Sequence, residues 1–169
     1  MNTKKIYKDV TKQLNKSQAV LLVVEEISEL ISEISLIISS NYNYDDLCEE
    51  VADVRIMTNL IKKTFDISDE IIVKYQKDLK SDFKKYYKTH TTKENIKSCI
   101  VSLTDFQKVI CKKVRGRHNK KDIAMAIANV ELSMNYLAKQ GFIKPKDCDK
   151  WEKKKLKRMQ KRIKKNQIM

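Results

Sequence analysis

The chain has 169 residues, a length that suits one domain or two small packed units. It contains only 2 glycines and 1 proline. This count argues against β-sandwiches, barrels, Rossmann units and P-loop proteins, because their turns and phosphate-binding loops need glycine. Hydrophobic residues make up 41% and charged residues 34% of the chain, a balance that argues against disorder throughout. The composition therefore predicts an all-α fold.

The net charge of +14 is divided unevenly along the chain. Residues 1–88 carry 14 basic and 15 acidic side chains, whereas residues 89–169 carry 22 basic and 7 acidic ones. The first half is therefore nearly neutral and the second strongly positive. A positive half of this kind is expected to face a polyanion or a nucleotide.

Neither a membrane span nor a disulfide framework is indicated. No apolar run reaches the roughly 20 residues that cross a bilayer, and the first ten residues lack the apolar segment of a signal peptide. The four cysteines are widely spaced and contain no CxxC pair. This pattern predicts reduced thiols in a cytoplasmic protein.

Apolar residues at helical spacing predict seven helices. In chain order they cover about 6–14, 20–38, 47–61, 68–87, 93–114, 122–140 and 145–165. Asp45 or Asp46 is the expected N-cap of the third helix, and Ser68 or Asp69 that of the fourth. Residues 89–92 are expected to form a linker between the fourth and fifth helices.

The second half resembles a diverged copy of the first. When the chain is shifted by 76 positions, residues 51–54 align with 127–130, and Ser40 aligns with Gly116. Identities are few, but the apolar positions stay in register. The sequence therefore predicts two repeats, at residues 1–88 and 89–169.

Two pairs of carboxylates interrupt apolar stripes in the first half. Glu26 and Glu29 form one pair, and Glu50 and Asp53 the other; each pair is spaced i, i+3 and so lies on one helix face. If both faces point inward, four carboxylates converge. Two of them about 5 Å apart repel by about 3 kcal/mol at an effective dielectric of 20. Either they take up protons or a hard cation neutralises them, and Mg²⁺ fits best. The ordinary alternative to a metal site is that both pairs lie on solvated helix surfaces.

At this point the sequence resembles a known family. The arrangement EExxE at 25–29, then 20 residues, then ExxD at 50–53 is similar to the signature of all-α nucleoside triphosphate pyrophosphohydrolases, the MazG-like and dimeric dUTPase group. The flanking segments EEISELISEIS at 25–35 and EEVADVRIM at 49–57 strengthen the likeness. The chain looks most like the short MazG-like proteins of phages and bacteria.

The resemblance implies a fold, a reaction and a site. The fold would be tandem four-helix-bundle-like repeats of the MazG type. The reaction would be Mg²⁺-dependent hydrolysis of an NTP or dNTP to the monophosphate and pyrophosphate, with Mn²⁺ as a substitute metal. Glu25 matches a residue that orients water, and Lys74 and Lys77 lie where relatives place phosphate-binding groups. The residues that match the metal ligands are Glu26, Glu29, Glu50 and Asp53.

The second repeat has lost most of this pattern. The four positions aligned with the expected ligands are Ser102, Asp105, Ala126 and Asn129. Because members of the family pair subunits, the chain is expected to be a homodimer or a pseudo-dimer within one chain. In the second case the basic repeat packs on the first in place of a partner subunit and supplies cations to its site.

A non-enzymatic function is the rival interpretation. Ten basic residues lie within 150–165 and a second basic stretch covers 112–121. A helical protein could bind nucleic acid or a signalling nucleotide through this basic half. The aromatic residues show no stacking-platform pattern along the sequence, and His90 and His118 lie in polar segments without carboxylate or cysteine at ligand spacing.

Overall fold

The computed structural model describes residues 2–117 and 119–165, which contain seven α-helices and no strand. His118 lies outside the described residues. The helices are α1 (Thr3–Gln13), α2 (Lys16–Ile38), α3 (Tyr44–Phe65), α4 (Asp69–Thr89), α5 (Thr92–Val114), α6 (Lys120–Lys139) and α7 (Pro145–Lys164). The all-α fold predicted from composition is confirmed. Among the described helices, none has the length and apolar character needed to cross a bilayer.

Asparagine residues cap several helix starts. The N-cap of α3 is Asn43, whose Oδ1 accepts hydrogen bonds from the backbone N–H groups of Asp45 at 2.8 Å and Asp46 at 3.4 Å. The expectation that Asp45 or Asp46 is the N-cap is therefore wrong. Asn43 already satisfies these amides, so both carboxylates fall in the first turn, where they complement the helix dipole.

The connection between α4 and α5 is shorter than predicted. Thr89 is the last residue of α4 and Thr92 the first of α5, so only His90 and Thr91 lie between them. Thr91 and Glu94 form a capping box, in which each side chain accepts from the other's backbone N–H. This local pairing starts α5 earlier than the apolar spacing indicates. Ser68 stands at the expected N-cap position of α4, but its side chain forms no capping hydrogen bond.

The core is built around α2 and α5, which pack against each other. α2 also packs on α3, and α5 on α6. Leu30 and Ile34 of α2 and Phe106 and Ile110 of α5 are fully buried in this core. α1 lies against α3 and α7.

Helix boundaries and burial recur at the predicted interval of 76 residues. The paired helix starts are Lys16 and Thr92, Tyr44 and Lys120, and Asp69 and Pro145. Ser40 and Gly116, also 76 positions apart, both have left-handed backbones, with φ of 59° and 74°. Buried positions 20, 23, 27, 30 and 34 of α2 correspond to 96, 99, 103, 106 and 110 of α5. These coincidences support the predicted internal duplication.

The last helix of each half packs on the other half. α7 lies against α3, and its counterpart α4 lies against α6, the counterpart of α3. The packing of the helices therefore crosses the predicted division at residue 88 in both directions. This exchange carries the basic α7 to the nearly neutral first half.

Candidate active site

Three of the four predicted metal-binding carboxylates come together where α2 packs on α3. Glu26 and Glu29 of α2 and Glu50 of α3 each offer a carboxylate oxygen, and these oxygens lie within 4.8 Å of one another. The buried residues Ile27 and Leu30 turn α2 so that its two glutamates face α3. The i, i+3 spacing and the helix pairing together produce the cluster.

Asp53 is close to this cluster but is bonded to a lysine. The residue as a whole is 5% exposed, and its Oδ2 accepts a hydrogen bond from the ammonium of Lys155. The same ammonium lies 2.6 Å from Glu49 Oε1. The three-carboxylate group of the described residues does not include Asp53. Local sequence around these acids did not indicate this lysine, because Lys155 arrives from α7, 102 positions further along the chain.

The electrostatics of the cluster reflect burial and mutual repulsion. Burial raises the pKa of Glu50 to about 8, with further increases from the charges of Asp53 and Glu29. Burial and the charge of Asp53 likewise raise the pKa of Glu26 to about 7. Burial also raises the pKa of Asp53, against the opposing effect of Lys155. One lysine therefore compensates the group only in part.

Burial tends to lower the pKa of Lys155, but its hydrogen bonds to Asp53 and Glu49 outweigh that effect and raise it. The lysine therefore stays charged between the two carboxylates. The ion pairs of Lys155 are with Glu49 and Asp53, and neither of these belongs to the group of Glu26, Glu29 and Glu50.

Glu50 also carries an unsatisfied atom. Its Oε2 is buried and has no hydrogen-bond partner within the described chain. A buried carboxylate oxygen without a donor costs free energy that a bound cation removes. Hard divalent cations such as Mg²⁺ take oxygen ligands of this kind. The donor set of Glu26, Glu29 and Glu50 therefore fits the metal that the resemblance implies.

A cavity of about 210 Å³ adjoins the acids. Glu26 and Asp53 line one side of it, and Lys155, Arg158 and Arg162 of α7 line the other. Apolar side chains of α1, α2, α3 and α7 complete its wall. Of the three clustered carboxylates, Glu26 is the one among the described lining residues, so the cavity meets the cluster at Glu26 and places cationic groups of α7 near it. Carboxylates and cations close together suit a metal-bound polyphosphate.

The remaining predicted residues are elsewhere. Glu25 is exposed on α2 next to Glu26, outside the three-carboxylate group. Lys74 and Lys77 are exposed on α4, which packs mainly on α6, and neither is among the described residues lining the cavity beside the acids. The structure brings cations of α7 to the site instead of these two lysines.

Sequence reasoning missed Lys155, Arg158 and Arg162 as site residues. The sequence signal for them was the basic run at 150–165, whose apolar residues Leu156 and Met159 mark a packed face. Because Lys155 lies next to that face, the sequence could have indicated that it contacts another helix. It could not indicate that the contact is with Asp53, because the packing of α7 on α3 leaves no pattern in the sequence near either residue.

A second cavity occupies the corresponding place in the other half. Its volume is about 420 Å³, and it is lined by all four residues aligned with the predicted ligands, Ser102, Asp105, Ala126 and Asn129. Only Asp105 among these four retains a carboxylate. The described residues form no second cluster like that of Glu26, Glu29 and Glu50. That only the first repeat carries a metal site stays a prediction.

Comparison with protein-family models, with curated proteins and with solved structures found no match to this chain. The chain is described by its own fold and site. It is an all-α protein in which the last helix of each half packs on the other half, and it has a carboxylate cluster near a cavity lined by basic residues.

Proposed function

We propose that the protein is a Mg²⁺-dependent nucleoside triphosphate pyrophosphohydrolase, which converts an NTP or dNTP to the monophosphate and pyrophosphate. The observation that carries the proposal is the convergence of Glu26, Glu29 and Glu50 beside a cavity lined by Arg158 and Arg162. Carboxylates alone suit a metal and cations alone suit phosphate. Their juxtaposition suits a metal-bound polyphosphate.

Glu26, Glu29 and Glu50 would hold Mg²⁺, with Mn²⁺ able to replace it, and Asp53 would adjoin the site as the partner of Lys155. When bound, the metal would offset negative charge on the phosphate oxygens. The unsatisfied Oε2 of Glu50 is the observation in this chain that favours a cation there.

The chain's own groups would position the substrate and the water. Arg158 and Arg162 bind phosphate oxygens from the α7 side of the cavity. Glu25, which is exposed and adjoins Glu26 in the chain, would accept a hydrogen bond from the attacking water and take its proton. The water oxygen bonds to the α-phosphorus as the bond to the bridging α–β oxygen breaks, and pyrophosphate leaves with that electron pair.

The second half would take the place of a partner subunit. α7 packs on α3 and contributes Lys155 to the acidic site, while the corresponding cavity keeps one of the four ligand positions. The proposal is therefore a pseudo-dimer with one active site per chain. The cytoplasm, where nucleoside triphosphates are present, is the proposed location.

The test is turnover of a panel of NTPs and dNTPs with Mg²⁺ or Mn²⁺. We expect equal amounts of monophosphate and pyrophosphate, and loss of turnover on addition of EDTA. Glu50→Gln should lower the rate at least about a hundredfold, since it removes a metal ligand. Asp46→Asn, an exposed change on the same helix, is the matched control. Release of orthophosphate alone, or no turnover of any substrate, would contradict the proposal.

A further inference from the structure

The largest of the described cavities lies away from the carboxylate cluster. Its volume is about 720 Å³, and it is formed by α4 and α6 with the start of α7 at Pro145. This size falls in the range of ligand-binding clefts. None of its lining residues belongs to the proposed active site.

Aromatic rings from two helices meet in this cavity. Tyr87 of α4 and Tyr136 of α6 stack with their centroids 4.0 Å apart and their planes 15° apart. Phe83 lies against Tyr87 at 5.4 Å. Because the rings come from α4 and α6, their spacing along the sequence does not indicate a shared platform.

Of these three rings, Phe83 is the one that lies outside the hydrophobic core. Its side chain is half-buried and lines the cavity, whereas Tyr87 packs against the core and Tyr136 is part of it. Phe83 does not belong to the described core or to the side chains packed on it. A half-exposed ring beside a cleft is therefore free to stack on a ligand.

Lysines surround the rings. Lys80, Lys84 and Lys88 follow one another at i, i+4 and i+8 on one face of α4, and Lys139 of α6 also lines the cavity. All four side chains are exposed, and none forms an ion pair within the described chain. No acidic residue is among the described lining residues. The row from Lys80 to Lys88 spans about 12 Å along the helix.

We propose that this cavity binds single-stranded nucleic acid, with a base on Phe83 and successive phosphates on Lys80, Lys84 and Lys88. Rings beside a row of lysines are the elements with which proteins hold single strands, since every base has a face that stacks. A duplex hides those faces. Three cations about 6 Å apart along α4 suit a chain of phosphates better than the phosphates of a single nucleotide.

The test measures binding of a fluorescently labelled twelve-residue oligothymidylate to the full chain over a range of salt concentrations, with EDTA present. Replacing both Lys84 and Lys88 by Gln should weaken binding and reduce the salt slope by about 1.4, or about 0.7 for each phosphate that is no longer neutralised. The matched control is Lys4→Gln with Lys8→Gln, two exposed lysines at the same spacing on α1. That control should retain the slope of the unmodified chain.

Variants of Phe83 test the stacking of a base separately from the binding of phosphates. Phe83→Ala should weaken binding roughly 5- to 100-fold with the salt slope unchanged, because one base no longer stacks. Phe83→Leu keeps apolar bulk while removing the ring, so it should weaken binding similarly with the helical circular dichroism intact. Equal effects of the α1 and α4 lysine changes, or full affinity in both Phe83 variants, would overturn the proposal.

Competition with unlabelled ligands distinguishes binding of a single strand from binding of a duplex or a mononucleotide. Unlabelled oligothymidylate should displace the probe, whereas the same strand in a duplex, or thymidine monophosphate at equal phosphate concentration, should not. Displacement by either of the last two would overturn a single-strand site. Because this cavity shares no described lining residue with the cavity beside the acids, we expect the Phe83 and lysine variants to release pyrophosphate at the normal rate. Failure of nucleic-acid binding and failure of hydrolysis can therefore be told apart.

Discussion

Lys155 and Asp53 form an ion pair between α7 and α3 although 102 positions separate them in the chain. Their side chains are 22% and 7% exposed, so water screens the pair weakly. The pair joins the two halves of the protein at the edge of the carboxylate cluster. It links the stability of the fold to the charge of the site.

Removing this lysine should destabilise the metal-free protein. Lys155→Met leaves Asp53 and Glu49 without their shared cation, so we expect a decrease of about 2 kcal/mol in the free energy of unfolding, or roughly 4–8 °C in melting temperature. Thermal unfolding in EDTA measures the decrease. The double variant Lys155→Met with Asp53→Asn should recover part of it, since Asp53 then carries no unpaired charge. A double variant as unstable as the single one would contradict this expectation.

The raised pKa of Glu50 predicts how stability depends on pH. Because its pKa is about 8 in the folded protein and 4.5 ordinarily, the folded state holds the proton more tightly. Its contribution to stability is present at low pH and is lost as pH rises from about 4.5 to 8. In EDTA, the melting temperature of Glu50→Gln should therefore gain on that of the unmodified chain over this interval. A difference that is constant with pH would show that Glu50 titrates normally.

Divalent metal should stabilise the folded chain. At a concentration of Mg²⁺ about 100 times its dissociation constant, binding contributes about 2.7 kcal/mol, or roughly 5–10 °C in melting temperature. Glu26→Gln with Glu50→Gln should abolish the increase, while Asp46→Asn should keep it. Thermal unfolding at increasing Mg²⁺ concentration provides the measurement. An equal increase in all three proteins would place the metal elsewhere.

Cations of α7 should matter more for the substrate than lysines of α4. Arg158 lines the cavity beside the acids, whereas Lys77 is exposed on α4, away from those lining residues. Arg158→Met should lower kcat/KM for the triphosphate about tenfold or more, as expected when a charged hydrogen bond is removed. Lys77→Met should change it about twofold at most. The reverse order would favour the assignment that the family resemblance implied.

The first repeat should not function alone. A fragment of residues 1–88 lacks α5, on which α2 packs in the full chain, and α7, which packs on α3. We expect the fragment to unfold with little cooperativity, as measured by circular dichroism. We also expect it to release no pyrophosphate in the turnover assay. Full activity in the fragment would show that the second half is not needed at the site.

Much of the fold follows from local chemistry in the sequence. Apolar spacing predicted seven helices, and the starts that it placed too late include those of α2 and α3, which follow the side-chain caps Asn15 and Asn43. The 76-residue interval predicted which helix starts correspond. The helices and their caps depend on residues a few positions apart, and the interval is found by comparing one half of the chain with the other, so a single sequence carries both.

The candidate site was predicted in part for the same reason. The i, i+3 spacing placed Glu26 with Glu29, and the pairing of consecutive helices brought Glu50 to them. Asp53 was expected to share their role, but its partner is a lysine from the far end of the chain. Helical periodicity fixes the face on which a carboxylate lies and does not specify what packs against that face.

The sequence by itself determined an all-α chain of seven helices and the spacing of its carboxylates, because these are consequences of short-range geometry. It also predicted an internal repeat, from the comparison of one half with the other. Only the tertiary structure decided that α4 and α7 exchange places, that Lys155 joins Asp53, and that rings of α4 and α6 share a lysine-lined cavity. These depend on how distant helix faces fit together as apolar surface is buried, and the lowest free energy of that fit is a property of the whole chain.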